Sequence, residues 1–238
     1  MGSAIAARLD GVELNIIETK SSIEKLKLKF PNASFYDASN DFDATGMVVI
    51  LAVKPQKMDS VKLIGISETV LSIMAGVELA KLKNSFKAKA YARAMPNLAA
   101  EYGLSSTALV GDEKAHHDAL SIFSKIGKTV WLHSEKELDA ATALAGSGPA
   151  FLALIAEALM DGGVRLGLSR SSSKELTEAL FGGFSKLIEH EHPALLKDRV
   201  MSPGGTTAAG YAHLEDNAVR SAYIGALKAA FDRAQELK

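Results

Sequence analysis

Cysteine is absent from the 238 residues, which excludes disulfides, thiolate metal sites and cysteine nucleophiles together. Aromatic residues make up 6% of the chain, and 27 basic side chains stand against 28 acidic ones. A nucleic-acid binder needs a basic face or stacking platforms, so that class is disfavoured. No apolar run reaches 18 residues without a charge, and nothing has the pattern of a signal peptide. The expectation is a soluble, cytoplasmic protein with neither membrane nor nucleic acid as partner. Internal repeats and low-complexity tracts are missing as well. What remains is a chain that is 47% hydrophobic and long enough for one large domain or two ordinary ones.

The first 133 residues alternate short β-type runs with helical patterns. Segments 12–17, 34–36, 47–53, 69–74, 88–92 and 129–132 read as strands, and 22–30, 58–63, 79–84 and 113–125 as helices. Segment 47–53 (MVVILAV) is apolar throughout, as a central strand covered on both faces must be. Such alternation predicts an α/β domain over 1–133, with a Rossmann-like doubly wound parallel sheet. From 134 to 238 only helical periodicity is left, and 150–160 is apolar nearly all round. A helix of that kind needs more cover than its own domain offers, which predicts an all-α dimerisation domain.

The most informative stretch is SPGGTTAAG at 202–210. A Pro-Gly-Gly turn that opens a helix leaves backbone N–H groups unpaired and lets a ligand approach the main chain. Positive potential at the helix start suits a carboxylate or phosphate, and the hydroxyls of Thr206 and Thr207 can donate to a second polar atom. Read alone, the same residues also describe an ordinary Gly-rich turn with a Thr cap.

Weaker signals come from the first half. Gly2 opens a helix, and Glu18, sixteen residues later, ends a strand. In a dinucleotide fold an acid near that place binds the adenine ribose, and Gly2 can only be the last glycine of G-x-G-x-x-G. Lys20 and Ser21 follow at once and would suit a 2′-phosphate, which leaves NAD against NADP open. Ala52-Val53-Lys54-Pro55-Gln56 ends the central strand at the edge where open α/β sheets bind ligands, and Arg93-Ala94-Met95-Pro96-Asn97 ends a later one similarly. His190-Glu191-His192 reads as a solvated loop and His116-His117 as an exposed helix face, so no metal site is expected. Asp198-Arg199 is expected to order the neighbouring turn as an ion pair.

Taken in order, AVKPQ (52–56), ARAMPN (92–97), AGSGPAF (145–151), DGGVRLGL (161–168) and LKDRVMSPGGTTAAG (196–210) resemble the pyrroline-5-carboxylate reductase family. The matches span essentially the whole chain. The resemblance implies a Rossmann domain, a helical domain interleaved with a partner subunit, and reduction of 1-pyrroline-5-carboxylate to L-proline by NADPH or NADH. Carried over by position, Thr207 would hydrogen-bond the imine nitrogen. Ser202, Gly204, Gly205, Thr206 and Ser147 would hold the substrate. Gly2, Glu18, Lys20, Ala52, Val53, Lys54, Pro55, Met95, Pro96 and Asn97 would line the cofactor. Ser147, Gly148 and Pro149 would bend the interdomain helix. Hydride transfer to C=N needs neither nucleophile nor metal, so the lack of a Ser/His/Asp or metal constellation is expected.

Two departures stand out. The family begins with a strand and the glycine-rich loop, whereas this chain opens at the Met-Gly of that loop, and Leu98-Ala99 replaces the usual Thr-Pro. A 3-2-1-4-5-6 strand order puts the missing strand at the sheet centre, between the strands ending at Glu18 and Val53. The expectation is that the natural polypeptide is several residues longer. The alternative to the enzyme is a non-catalytic helical dimer that has lost nucleotide binding. A β-hydroxyacid dehydrogenase of related architecture is disfavoured because no Lys stands between Asp139 and Asp161.

Overall fold

The computed structural model describes residues 1–237 and divides into two compact units, Met1–Ser147 with the stretch from Ala229 onward, and Gly148–Lys228. The first unit opens with α1 (Gly2–Ala6), β1 (Asn15–Glu18), α2 (Lys20–Lys29), β2 (Ser34–Asp37), β3 (Phe42–Asp43) and β4 (Val48–Leu51). It continues with β5 (Leu63–Ile64), β6 (Ser67–Ser72), α3 (Leu79–Ser85), β7 (Ala88–Met95), β8 (Ser105–Gly111), α4 (His116–Phe123), β9 (Gly127–Trp131) and α5 (Glu135–Ala141). The remainder is helical: α6 (Gly148–Arg165), α7 (Arg170–His190), α8 (Pro193–Val200), α9 (Thr206–Asp216) and α10 (Val219–Glu236). The last turns of α10 rejoin the first unit.

Among the described residues the strands form three sheets. The largest has the order β4-β6-β7-β8-β9, while β1 pairs only with β2 and β3 only with β5. All pairings are parallel except β7 with β8. The sheet is therefore parallel-dominated rather than wholly parallel, and the reason is local. Only nine residues, 96–104, join β7 to β8, too few for a helical crossover, so the chain must turn back. A 3₁₀ turn over Leu98–Tyr102 closed by Gly103 at φ 75° makes that reversal. No ladder joins β1 to β4, so the sheet is interrupted at the place where the family resemblance puts its first strand.

Helices cover both faces of the large sheet. On one, Ile5 of α1 and Ala119 and Phe123 of α4 pack on Leu71, Ala92 and Leu109; on the other, Met58, Leu82 and Phe86 pack on Leu51, Val70 and Tyr91. The helix expected at 58–63 is instead a 3₁₀ turn, Pro55–Ser60, followed by β5. Pro55 at its first position fixes the start, and Val61 is already extended.

In the second unit α6 and α7 form an antiparallel hairpin, tied where Ser173 Oγ donates to the Met160 carbonyl at 2.7 Å. The side chains of α6 stay open: Leu152, Leu154 and Leu159 are 51%, 63% and 43% exposed. The helical stretch Glu135–Arg165 is long and apolar enough to cross a membrane by length and composition, although its longest uncharged run stops short of 18 residues.

Candidate active site

At the carboxyl end of the sheet in the first unit, Ala52, Val53 and Lys54 are exposed and Pro55 half-buried, where β4 gives way to the 3₁₀ turn. Gly2 lies against this strand end. A Cβ at Gly2 would stand 2.9 Å from the Ala52 Cβ, closer than real side chains approach. Close helix–strand packing is the role of the last glycine of a dinucleotide fingerprint, so here Gly2 acts through packing.

At the end of β1, Glu18 Oε1 accepts the Thr19 N–H at 2.7 Å. The hydroxyls of Thr19, Ser21 and Ser22 cluster at the start of α2, at 3.3 and 3.2 Å from Thr19 Oγ1. Lys20 Nζ, 3.3 Å from Asp37 Oδ2, is partnered by the acid that ends β2. The Ser39 backbone N–H holds the Asp37 carboxyl below its ordinary range. Both an acid suited to ribose hydroxyls and a cation suited to a phosphate thus stand at this edge.

The end of β7 is tightly built. Pro96 is buried and Met95 half-buried. Asn97 Oδ1 accepts from the Ala99 N–H at 3.1 Å and Nδ2 donates to the Ala145 carbonyl at 3.0 Å. The Asn97 side chain is thereby engaged inside the protein. Ala145 belongs to a π turn over Thr142–Gly146, closed by the Ser147 N–H donating to the Thr142 carbonyl at 3.0 Å. The helix thus widens directly ahead of Ser147, Gly148 and Pro149. The signal for this was present in the sequence: Pro149 cannot supply an N–H to the carbonyl four residues earlier.

In the second unit, SPGGTT forms the link from α8 to α9. The Gly205 N–H donates to the Ser202 carbonyl at 3.0 Å, and Gly204 has φ 69°, the left-handed region that glycine tolerates. A Cβ at Gly205 would overlap the Ser202 side chain. Gly205 caps α9 without any side-chain bond, and the Thr206 and Thr207 side chains are exposed. The start of α9 thus has no side-chain cap, and the two residues after Gly205 carry exposed hydroxyls.

Side chains on α8 to α10 brace this link. Lys197 Nζ lies 5.3 Å from the centre of the Tyr211 ring, and Tyr211 Oη donates to Glu215 Oε1 at 2.6 Å. Arg220 bonds both Tyr211 and Glu215, and its guanidinium, with the Tyr211 hydroxyl, holds the Glu215 carboxyl below its ordinary range. Asp198 and Arg199 do not pair with each other. Asp198 meets Lys197 at 2.8 Å and Arg199 meets Glu191 at 2.9 Å, so each has another partner. His192 caps α8 through Nδ1, which accepts the Ala194 N–H at 3.2 Å. His116 packs on Trp131 with ring centres 4.6 Å apart, so it is half-buried where an exposed face was expected. Among the described residues no cluster of His, Asp and Glu is arranged to hold a metal.

The chain is 45% identical over 200 residues to the pyrroline-5-carboxylate reductase of Synechocystis, covering 80% of this chain and 74% of that one. This chain belongs to the pyrroline-5-carboxylate reductase family. Residues 135–237 match the family model for pyrroline-5-carboxylate reductase dimerisation. The structure of the pyrroline-5-carboxylate reductase from Coxiella burnetii superposes with TM-score 0.85 at 27% identity, over 100% of this chain and 94% of that one. The Plasmodium falciparum pyrroline carboxylate reductase with NADP bound matches in fold, with TM-score 0.75 at 24% identity, over 96% and 99% of the two chains. For this reductase the open apolar surface of α6 falls inside the dimerisation region. The family's cofactor is a reduced nicotinamide dinucleotide. The exposed end of β4, the packing glycine at Gly2 and the acid at the end of β1 fit such a group.

Proposed function

We propose that this chain reduces 1-pyrroline-5-carboxylate to L-proline with NADPH or NADH. The observation that carries this reading is the uncapped start of α9, with the free hydroxyls of Thr206 and Thr207, in a chain of this family. The substrate pairs a carboxylate with a ring C=N. The main-chain N–H groups of Thr206 and Thr207, with Ser202, would seat the carboxylate, and helix-start potential favours that charge. The Thr207 hydroxyl would donate to the imine nitrogen, drawing electrons from the carbon that is reduced. Hydride is the reagent that the bound dinucleotide supplies. The carbon would gain that hydride and the nitrogen a proton from solvent, so the protein's own residues bind and orient the imine without forming a covalent bond to it. Acceleration then comes from positioning and from hydrogen bonds aimed at the nitrogen.

In this reading Ala52, Val53, Lys54, Pro55, Met95 and Pro96 line the nicotinamide side, while Glu18 and Lys20 stand at the adenosine ribose. Ser147 contacts the substrate. The working unit is a homodimer closed through the dimerisation region, in the cytoplasm. The exposed leucines of α6 support the pairing, since a second copy is the cover that this family's domain uses. Titration of the purified protein with NADPH and with NADH tests the reading. Saturable binding below about 1 mM together with imine-dependent oxidation is expected. Absence of binding by either would leave the non-catalytic helical dimer.

A further inference from the structure

The Ala145 carbonyl is left without its α-helical donor by a covalent fact: Pro149, four residues on, has no N–H. Asn97 Nδ2 donates to that oxygen from the end of β7, at 3.0 Å. The orientation of the amide follows from its partners, because the Ala99 N–H can only donate to Oδ1 and the Ala145 oxygen can only accept from Nδ2. The Asn97 backbone is held as well. Its N–H donates to Ser105 Oγ at 3.0 Å, and that buried hydroxyl lies 2.9 Å from Thr107 Oγ1 on β8.

We propose that Asn97 is a positioning residue for the reaction, acting through the π turn rather than by touching the cofactor. One planar amide joins the strand end that carries Met95 and Pro96 to the turn that carries Ser147. Met95 also lies under this turn, its Cγ 4.0 Å from where a Gly146 Cβ would stand. With the amide in place the nicotinamide-lining strand end and the substrate-facing Ser147 keep one spacing. Hydride transfer is sensitive to such spacing, since reacting atoms must come within about 3–3.5 Å in line. Asn97 and Pro149 form a matched pair: the proline creates an open carbonyl and the asparagine fills it.

The proposal rests on the reductase reading of the site, and its test separates the two. Asn97→Asp keeps the acceptor for Ala99 and removes the donor to Ala145. The expected result is a fall in kcat of about 10- to 100-fold with the KM for the reduced dinucleotide within about 3-fold. A KM raised with kcat preserved would make Asn97 a cofactor ligand and overturn the proposal, as would an unaltered kcat. Pro149→Ala supplies an N–H at position 149 that can donate to the Ala145 carbonyl in place of Asn97, and it too should lower kcat while the dinucleotide KM holds. It serves as the kinetic test if Asn97→Asp does not fold. In the double variant the shifts of the unfolding midpoint should fail to add, because the carbonyl then has another donor. Strict additivity would contradict the pairing. Should wild-type protein not turn over the imine, the functional reading fails, while the unfolding cycle still reports on the Asn97–Ala145 bond.

Discussion

Arg93, 1% exposed on β7, donates through Nη1 to Glu135 Oε1 at 2.8 Å. The same oxygen accepts the Leu79 N–H at 3.0 Å, so one carboxylate joins β7 to the first residues of α3 and α5. Removing it would strand a buried guanidinium, which costs more than the pair's net contribution. Glu135→Ala should lower stability by about 3 kcal/mol, read as a drop in the urea midpoint at constant slope. Glu135→Gln keeps a neutral acceptor and should lose about 1 kcal/mol. Equal losses from both variants would show that the charge is immaterial.

The turn before α9 leaves no room beside Gly205. A methyl there meets Ser202, so Gly205→Ala must shift the Ser202 end of the anion seat. The expected outcome is a rise of about tenfold or more in the KM for the imine with the dinucleotide KM unchanged. Gly204→Ala strains a left-handed residue with open space around it and should cost about 1 kcal/mol of stability. Substrate titrations on both variants, with thermal unfolding beside them, distinguish the two effects.

Acid should loosen the brace on α9 and α10. Glu215 is held below its ordinary carboxyl value by Arg220 and by the Tyr211 hydroxyl. The folded state therefore binds fewer protons at this site than the unfolded one. Its contribution is present above the ordinary carboxyl range and is lost as pH falls through that range and below. Glu215→Gln should flatten the acid limb of the stability profile by lowering stability at neutral pH, and should leave the acid end nearly unchanged. The group is solvent-exposed, so the effect should shrink in high salt.

Much of this architecture was legible in the residues because it follows local rules. VVIL at β4 and the Thr-Val-Leu of β6 announce strands, and loss of β pattern after Trp131 announces the helical half. Strand β8 escaped because it opens Ser-Ser-Thr, polar residues that are here satisfied inside, Ser105 by Asn97 and Thr107. Its reversed direction depends on a nine-residue link and a left-handed Gly103, not on its own composition. At 202–207, a glycine turn that opens a helix was legible from Pro-Gly-Gly-Thr-Thr. The engagement of Asn97 was not, since its partner lies 48 positions away along the chain. Only the proline in AGSGPAF hinted that a carbonyl nearby needed another donor.

The Thr207 hydroxyl bears the chemical claim most directly. Steady-state turnover of 1-pyrroline-5-carboxylate by Thr207→Ala and Thr207→Ser, with dinucleotide affinity measured alongside, tests it. The account predicts a fall in kcat of about 10- to 1,000-fold for the alanine variant, the loss of one transition-state donor. Most of the rate should survive in the serine variant, and dinucleotide binding should be unchanged in both. Full turnover by Thr207→Ala would contradict the account.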